Sequence, residues 1–144
     1  MVVKSKIDNT GDSAAIDWKV VDANQKNVGR LAAEIAVILM GKNKVGYSKN
    51  TNSGDYVVVI NASEVKISGN KGLQKKYYNH SGYHGGLREQ TFDDLMASYP
   101  DRVIISAVKG MLPKSKLGRK IIKKLKVYPG NEHPHSAQIG QIDS

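Results

Sequence analysis

The sequence predicts an α/β fold: a single three-layer domain on a small, largely parallel sheet flanked by helices, with irregular extensions at both ends. Three observations carry that prediction. Tyr56 to Ile60 contains four consecutive β-branched residues, the mark of a strand covered on both faces, as in parallel sheets. Upstream, Val28 to Met40 is apolar almost all round, with Arg30 and Glu34 together on one narrow edge, so it reads as a helix buried on most of its faces. Trp18 to Asp22 precedes it as a short strand, which completes a strand–helix–strand order.

Composition bounds what such a fold can do. A chain of 144 residues has room for one domain and buries about two thirds of its unfolded surface. It contains no cysteine, which excludes disulfide scaffolds, thiolate zinc sites, iron–sulfur clusters and cysteine nucleophiles. The longest uncharged stretches, Ile35 to Gly41 and Tyr56 to Ser63, fall far short of the ~18 apolar residues of a membrane span. Lys4, Lys6, Asp8, Asp12 and Asp17 mix both signs near the start, unlike a secretory or transit leader. The expected compartment is the cytosol.

The elements follow in order. Residues 1–16 are expected to form a polar, flexible tail. Residues 17–128 form the α/β domain, and residues 129–144, with two prolines, two glycines and two histidines, form an irregular extension. After the Trp18–Asp22 strand, Ala23 to Asn27 makes a turn. Asn27 caps the first helix, Gly41 ends it, and Arg30–Glu34 is an i, i+4 pair at its rim. A polar, basic loop runs through Lys42, Lys44 and Tyr47 to Asp55. Val65–Ser68 and Lys75–Asn79 are two further short strands around a Gly69–Gly72 turn, and Gly82 to Gly86 is a loop. Thr91 and Asp94 make a modified capping box for a short helix that ends near Tyr99. For residues 100–111, Val103-Ile104-Ile105 favours strand by propensity. Helical spacing of Val103, Ile104, Ala107, Val108 and Met111, with Pro100 first and Gly110 near the end, decides for helix. Pro113 closes it, and a last helix is expected over 115–125.

The charge points to function. Twenty-two Lys and Arg against 13 Asp and Glu give a net charge of +9 and a pI near 9.7. The whole excess lies in residues 71–126, which hold 13 basic and 4 acidic side chains. Such a stretch asks for a polyanion. From Lys109 to Lys126 stand Lys109, Lys114, Lys116, Arg119, Lys120, Lys123, Lys124 and Lys126, with no acid among them. On a wheel, Leu117, Ile121, Ile122 and Leu125 fill an arc of about 140°, and the cations from Lys116 onward an opposing arc of about 160°. One side docks on the core and the other follows a phosphate backbone. A purely solvated face would leave the like-charge repulsion unrelieved. A membrane surface would need more than four apolar residues and an aromatic. Nucleic acid is favoured over both.

Lys75, Lys76, Tyr77, Tyr78, Asn79 and His80 form a second basic cluster, where tyrosines beside lysines suit stacking on unpaired bases. Packing of the tyrosines on the sheet, with the lysines in solvent, is the competing account. Arg88 adds a cation beside a glycine-rich loop. Of the four histidines, His80 and His84 straddle a glycine turn and His133-Pro134-His135 points its rings apart, with only Glu132 as a nearby acid. Metal ligation is therefore not expected, and polar or phosphate contacts are assigned to His133 and His135. No nucleophile elbow, paired-carboxylate motif or complete phosphate-binding loop is present (Gly41-Lys42 continues into Asn43), so neither catalysis nor a cofactor is expected.

Val108-Lys109-Gly110-Met111-Leu112-Pro113, Gly118-Arg119, Leu125-Lys126-Val127-Tyr128 and Gly130-Asn131-Glu132-His133 together resemble the signature of the L-thirteen family of bacterial large-ribosomal-subunit proteins. The resemblance extends through Trp18 to Asp22, Gly29-Arg30-Leu31-Ala32, Gly54-Asp55-Tyr56, Gly69-Asn70-Lys71, His80-Ser81-Gly82 and Gly85-Gly86, and covers about residues 17–138. It implies a compact three-layer α/β domain, a structural role in binding large-subunit rRNA, entry early in subunit assembly, and neighbouring ribosomal proteins as further partners. It also implies that Lys109 to Lys126, the 75–88 region, and Lys42 with Lys44 touch rRNA. Two other functions stand beside it: an RNA-processing enzyme using the histidines, and a translational regulator that binds messenger RNA.

Overall fold

The computed structural model describes the backbone of Val3–Ser5 and all of residues 16–139. Its strands are β1 (Val3–Ser5), β2 (Trp18–Asp22), β3 (Tyr56–Ile60), β4 (Lys76–His80), β5 (Leu87–Thr91) and β6 (Leu125–Val127). Its helices are α1 (Val28–Met40), α2 (Lys71–Gln74), α3 (Phe92–Ser98), α4 (Pro100–Met111), α5 (Lys116–Ile122) and α6 (Ser136–Ile139). The main sheet runs β1-β2-β3-β6. β2, β3 and β6 are parallel, with Val20 opposite Val58 and Val58 opposite Lys126, and β1 adds to the edge antiparallel. The fold is thus the α/β arrangement expected, with β2–α1–β3 as its first unit.

Alternation splits the core in two. Val21, Val57, Val59 and Leu125 face a large cluster built with α1, α3, α4 and α5, whereas Val20 and Val58 face a small one with Trp18, Tyr128 and Ile139. Val57, Val58 and Val59 have no exposed surface, as the β-branched run requires. α4 is a helix, with Pro100 at its start and Val103, Ile104 and Val108 buried. Asn27 caps α1 by accepting from the Gly29 N–H, and Gly41 ends it at φ 75°. The Thr91–Asp94 capping box is formed in both directions.

The structure corrects several local expectations. α1 is buried along one side rather than on most of its faces: Val28, Leu31, Ala32, Ile35, Ala36 and Leu39 point inward, while Ala33 and Val37 are exposed. Small residues on its outer side make it look more apolar than its packing demands. Glu34 faces Lys26 at 4.0 Å instead of Arg30. Val65–Ser68 is no strand; a 3₁₀ turn at Ala62–Glu64 leads to one bridge, Asn27 to Lys66. The expected Gly69–Gly72 turn runs into α2, and Lys76–His80 pairs with an unanticipated strand, β5.

The last helix stops at Ile122, three residues before the expected 125. Leu125–Val127 instead completes the sheet, with the Val57 N–H donating to the Lys124 carbonyl (3.1 Å) and the Tyr128 N–H to the Val59 carbonyl (2.8 Å). Pairing satisfies an edge of β3 that would otherwise be buried without partners. Within the expected tail, Val3–Ser5 is strand β1, and the rest of that segment up to residue 15 lies outside the described residues. The C-terminal segment carries α6, whose Ile139 is buried on the back of the sheet. That helix is the thin third layer.

Candidate nucleic-acid interface

Two chemical details fix the turn from α4 into α5. Ser115 caps α5 by accepting from the Gly118 N–H at 3.3 Å. Gly118 lies so close to the preceding loop that a Cβ there would sit 1.8 Å from the Pro113 carbonyl oxygen. The loop is therefore held tightly against the first turn of α5. Ile121 and Gly118 face inward; Lys116, Arg119 and Lys120 face solvent, followed by Lys123 in the turn. Lys109, in the last turn of α4, and Lys114 in the loop are also exposed. No acidic residue occurs between Asp101 and Glu132. Among the described residues none of these six cations sits in an ion pair.

Two clefts flank α4 here. One, of about 460 Å³, lies between α4 and α5 and is edged by Lys109, Lys114 and Arg119. The other, of about 440 Å³, lies between α4, the start of α1 and the β4 region, with Lys71, Lys75 and Tyr77 on its walls. Ser106 and Gly110 line both. One strip of α4 thus joins the two basic clusters into a single surface. Neither Lys71 nor Ser106 is among the contacts expected from sequence; the charge excess from residue 71 onward is the signal that points to Lys71.

Other sequence-nominated residues lie elsewhere. Lys124 is buried (7% exposed), with its ammonium donating to the Gly54 carbonyl at 2.7 Å and lying 5.5 Å from the Tyr56 ring. Burial, then the nearby Lys44, pushes its pKa down, against an opposing pull from Asp55. Lys44 reaches Asp55, a carboxylate with no exposed surface that also holds Lys19 at 2.7 Å. Burial alone would push the Asp55 carboxyl up; hydrogen bonds from Lys19, Lys44 and the Asp17 amide outweigh it and hold it below its ordinary value. Lys126, half-buried in β6, belongs to the sheet face opposite the helices that carry the ridge. The ridge expected over 116–126 therefore loses Lys124 and Lys126 once the chain turns from helix to strand.

In the β4–β5 hairpin, Lys76 is drawn to Glu89 at 3.1 Å, and that contact raises its pKa. Tyr77 packs against the main core with its hydroxyl buried and unpartnered, and burial raises its pKa. The exposed rings are Tyr78 and Tyr83 instead. Lys75 lies 5.4 Å from the Tyr77 ring, and Arg88 is exposed on β5. Lys42 is exposed beyond the C-terminal end of α1, about 20 Å along the helix from the cleft at its start. The His135 ring lies tilted against Trp18 (5.2 Å between centroids) and its Nε2 shares a 2.7 Å hydrogen bond with the Tyr128 hydroxyl. His133 lies within 6.5 Å of both His135 and Tyr128. These two histidines thus hold the C-terminal segment on the back of the sheet. Among the described residues there is no group of three or more histidine, cysteine or acidic side chains arranged for a metal. No helix there is long and apolar enough to cross a membrane.

The same chain matches the family model of ribosomal protein L13 over residues 16–134. It is 59% identical over 122 residues to the large ribosomal subunit protein uL13 of Laribacter hongkongensis, covering 85% of this chain and 86% of that one. It is 56% identical over 126 residues to uL13 of Chromohalobacter salexigens (88% and 89% covered) and 54% over 122 residues to that of Hahella chejuensis (85% and 86%). A match of that extent takes in both clefts, the α4–α5 ridge and the whole parallel sheet. The chain belongs to the ribosomal protein L13 family, whose members are structural proteins of the ribosome and not enzymes.

Proposed function

We propose that the chain is a structural constituent of the large ribosomal subunit that binds its rRNA through the α4-centred surface, stands among neighbouring ribosomal proteins, and enters the subunit early in assembly. The observation that supports this best is the set of six exposed cations on Lys109 to Lys123, on a stretch of chain without an acid. Lysines replace counterions around packed phosphates as point charges, and Arg119 offers a two-pronged donor. Selectivity then comes from the shape of the folded rRNA rather than from a base code. A protein neighbour suits the outer face of the β4–β5 hairpin. There Lys76 and Glu89 neutralise each other while Tyr78 and Leu87 stand 62% and 57% exposed.

The test is binding of the purified chain to large-subunit rRNA across a salt series. Lys120→Glu with Lys123→Glu lowers affinity and flattens the salt dependence by roughly 1.4–1.8 units of log–log slope, the value for two phosphates. The melting temperature stays nearly unchanged, because both side chains are exposed. Equal affinity and slope in the variant refutes the proposal, and an unfolded variant would show that these side chains serve the core. In a cell lysate, the chain co-sediments with large subunits and with their early precursor particles.

A further inference from the structure

The α4–α5 cleft has two kinds of wall. Its rim carries Lys109, Lys114 and Arg119, and its floor is built from Leu112, Pro113 and Ile122. Leu112 is buried, Ile122 half-buried and Pro113 exposed, so the apolar wall is seated on the core at Leu112 and Ile122. A backbone phosphate alone needs the rim and gains nothing from an apolar floor. A planar base alone needs the floor and gains little from three cations. One ligand uses both: a nucleotide turned out of its stack. A volume of about 460 Å³ falls within the ~300–1,000 Å³ of sites that enclose small ligands.

We propose that this cleft seats a single unpaired nucleotide of the bound RNA. Its base lies against Leu112, Pro113 and Ile122, and its flanking phosphates lie on Arg119 and the two lysines. The inference rests on the RNA-binding reading above and deepens it. Gly110 is where the idea is most easily broken. A Cβ at that position meets no atom within 4 Å, and Gly110 lines this cleft, so a side chain starts there in open space and takes up cleft volume. Exchanging a helical glycine for leucine also favours the helix.

The experiment compares two RNA probes: a large-subunit rRNA fragment containing a bulged uridine, and the same fragment with the bulge paired. The wild-type chain prefers the bulged form, and Gly110→Leu lowers affinity for it by roughly ten-fold or more, the scale of one lost base stack. Its salt slope stays unchanged, because no cation is lost. Ser106→Leu, an exposed change on the same wall, provides a second variant, and thermal melts confirm that both fold. With 4-thiouridine at the bulge, wild type cross-links within Lys109–Ile122 and Gly110→Leu does not. Lys120→Glu with Lys123→Glu flattens the salt slope yet keeps the preference for the bulge. Equal binding of both probes by wild type, or undiminished binding by both cleft-filling variants, overturns the nucleotide slot while leaving salt-dependent RNA binding standing. Absence of any salt-dependent binding by wild type overturns the functional reading as well.

Discussion

Asp55→Asn isolates the charge at the centre of the buried ion cluster. The amide keeps the shape of the side chain and an oxygen for the Asp17 N–H, which donates to Asp55 Oδ1 at 3.1 Å. What disappears is the counterion of Lys19, whose side chain is 6% exposed. Lys44, at 16%, has a route to water, so the penalty concentrates on Lys19. Removing one partner of a buried pair costs about 3–5 kcal/mol, which for a chain of this size lowers the melting temperature by roughly 10 °C. Urea unfolding followed by Trp18 measures it well, because that ring stacks on Tyr56 at 4.4 Å, next to the substituted residue. Adding Lys19→Met removes the stranded ammonium, so the double variant regains about 1–3 kcal/mol over the sum of the single changes. The pH dependence has a defined sign. The folded carboxyl has a pKa below its ordinary 3.8, so its contribution is present above that value and drains away as pH falls through the folded one. Asp55→Asn lacks that acid-side loss. A deficit under about 1 kcal/mol, or strict additivity in the double variant, refutes the account of a buried charge held by its partners.

Three further outcomes are expected. Lys124→Ala removes the hydrogen bond to the Gly54 carbonyl and costs about 1.5–3 kcal/mol, seen as a lower melting temperature; in rRNA binding its salt slope matches wild type. Gly54→Ala places a Cβ 1.7 Å from the Leu39 carbonyl oxygen and forces the loop off α1, a loss of about 3 kcal/mol in urea unfolding. Gly130→Ala, where no atom lies within 4 Å, is near neutral. The third concerns His135, whose pKa is lowered by burial first and then by His133 and Lys126. Stability linked to its neutral form is therefore full above 6.5 and lost as pH falls toward the folded value; Trp18 emission titrates in that window, and His135→Phe abolishes the titration.

Much of the fold could be read locally because its cues were local. The β-branched run of β3, the Asn27 and Gly41 ends of α1, and the Thr91–Asp94 box each lie within a few residues of the structure they specify. The Lys19–Asp55–Lys44 cluster offered no such cue, since its members come from a strand, a strand entrance and a loop that only the fold unites. Strand β5 was equally hidden. After Leu87 the segment to Thr91 is polar on both faces, and in its partner β4 only Tyr77 turns inward, with Lys76, Tyr78, Asn79 and His80 exposed. Periodicity reports burial, and a hairpin with so little burial has almost none to report.

The basic stretch shows how a correct composition argument misplaces individual charges. Over 116–126 the helical wheel separates greasy from cationic residues without a flaw, yet that register survives only to Ile122. Past it, the open edge of β3 competes for the same residues, and backbone hydrogen bonds to Val57 and Val59 outweigh any helical preference of Lys123-Lys124-Leu125. The switch converts three lysines within four residues into three different things. Lys123 stays in solvent on the ridge, Lys124 becomes a buried strut under the Asn52–Gly54 loop, and Lys126 joins the far face of the sheet. Leu125, between them, faces the main core. A net charge therefore identifies the class of partner, whereas the point at which helix gives way to strand decides which ammonium groups can reach it.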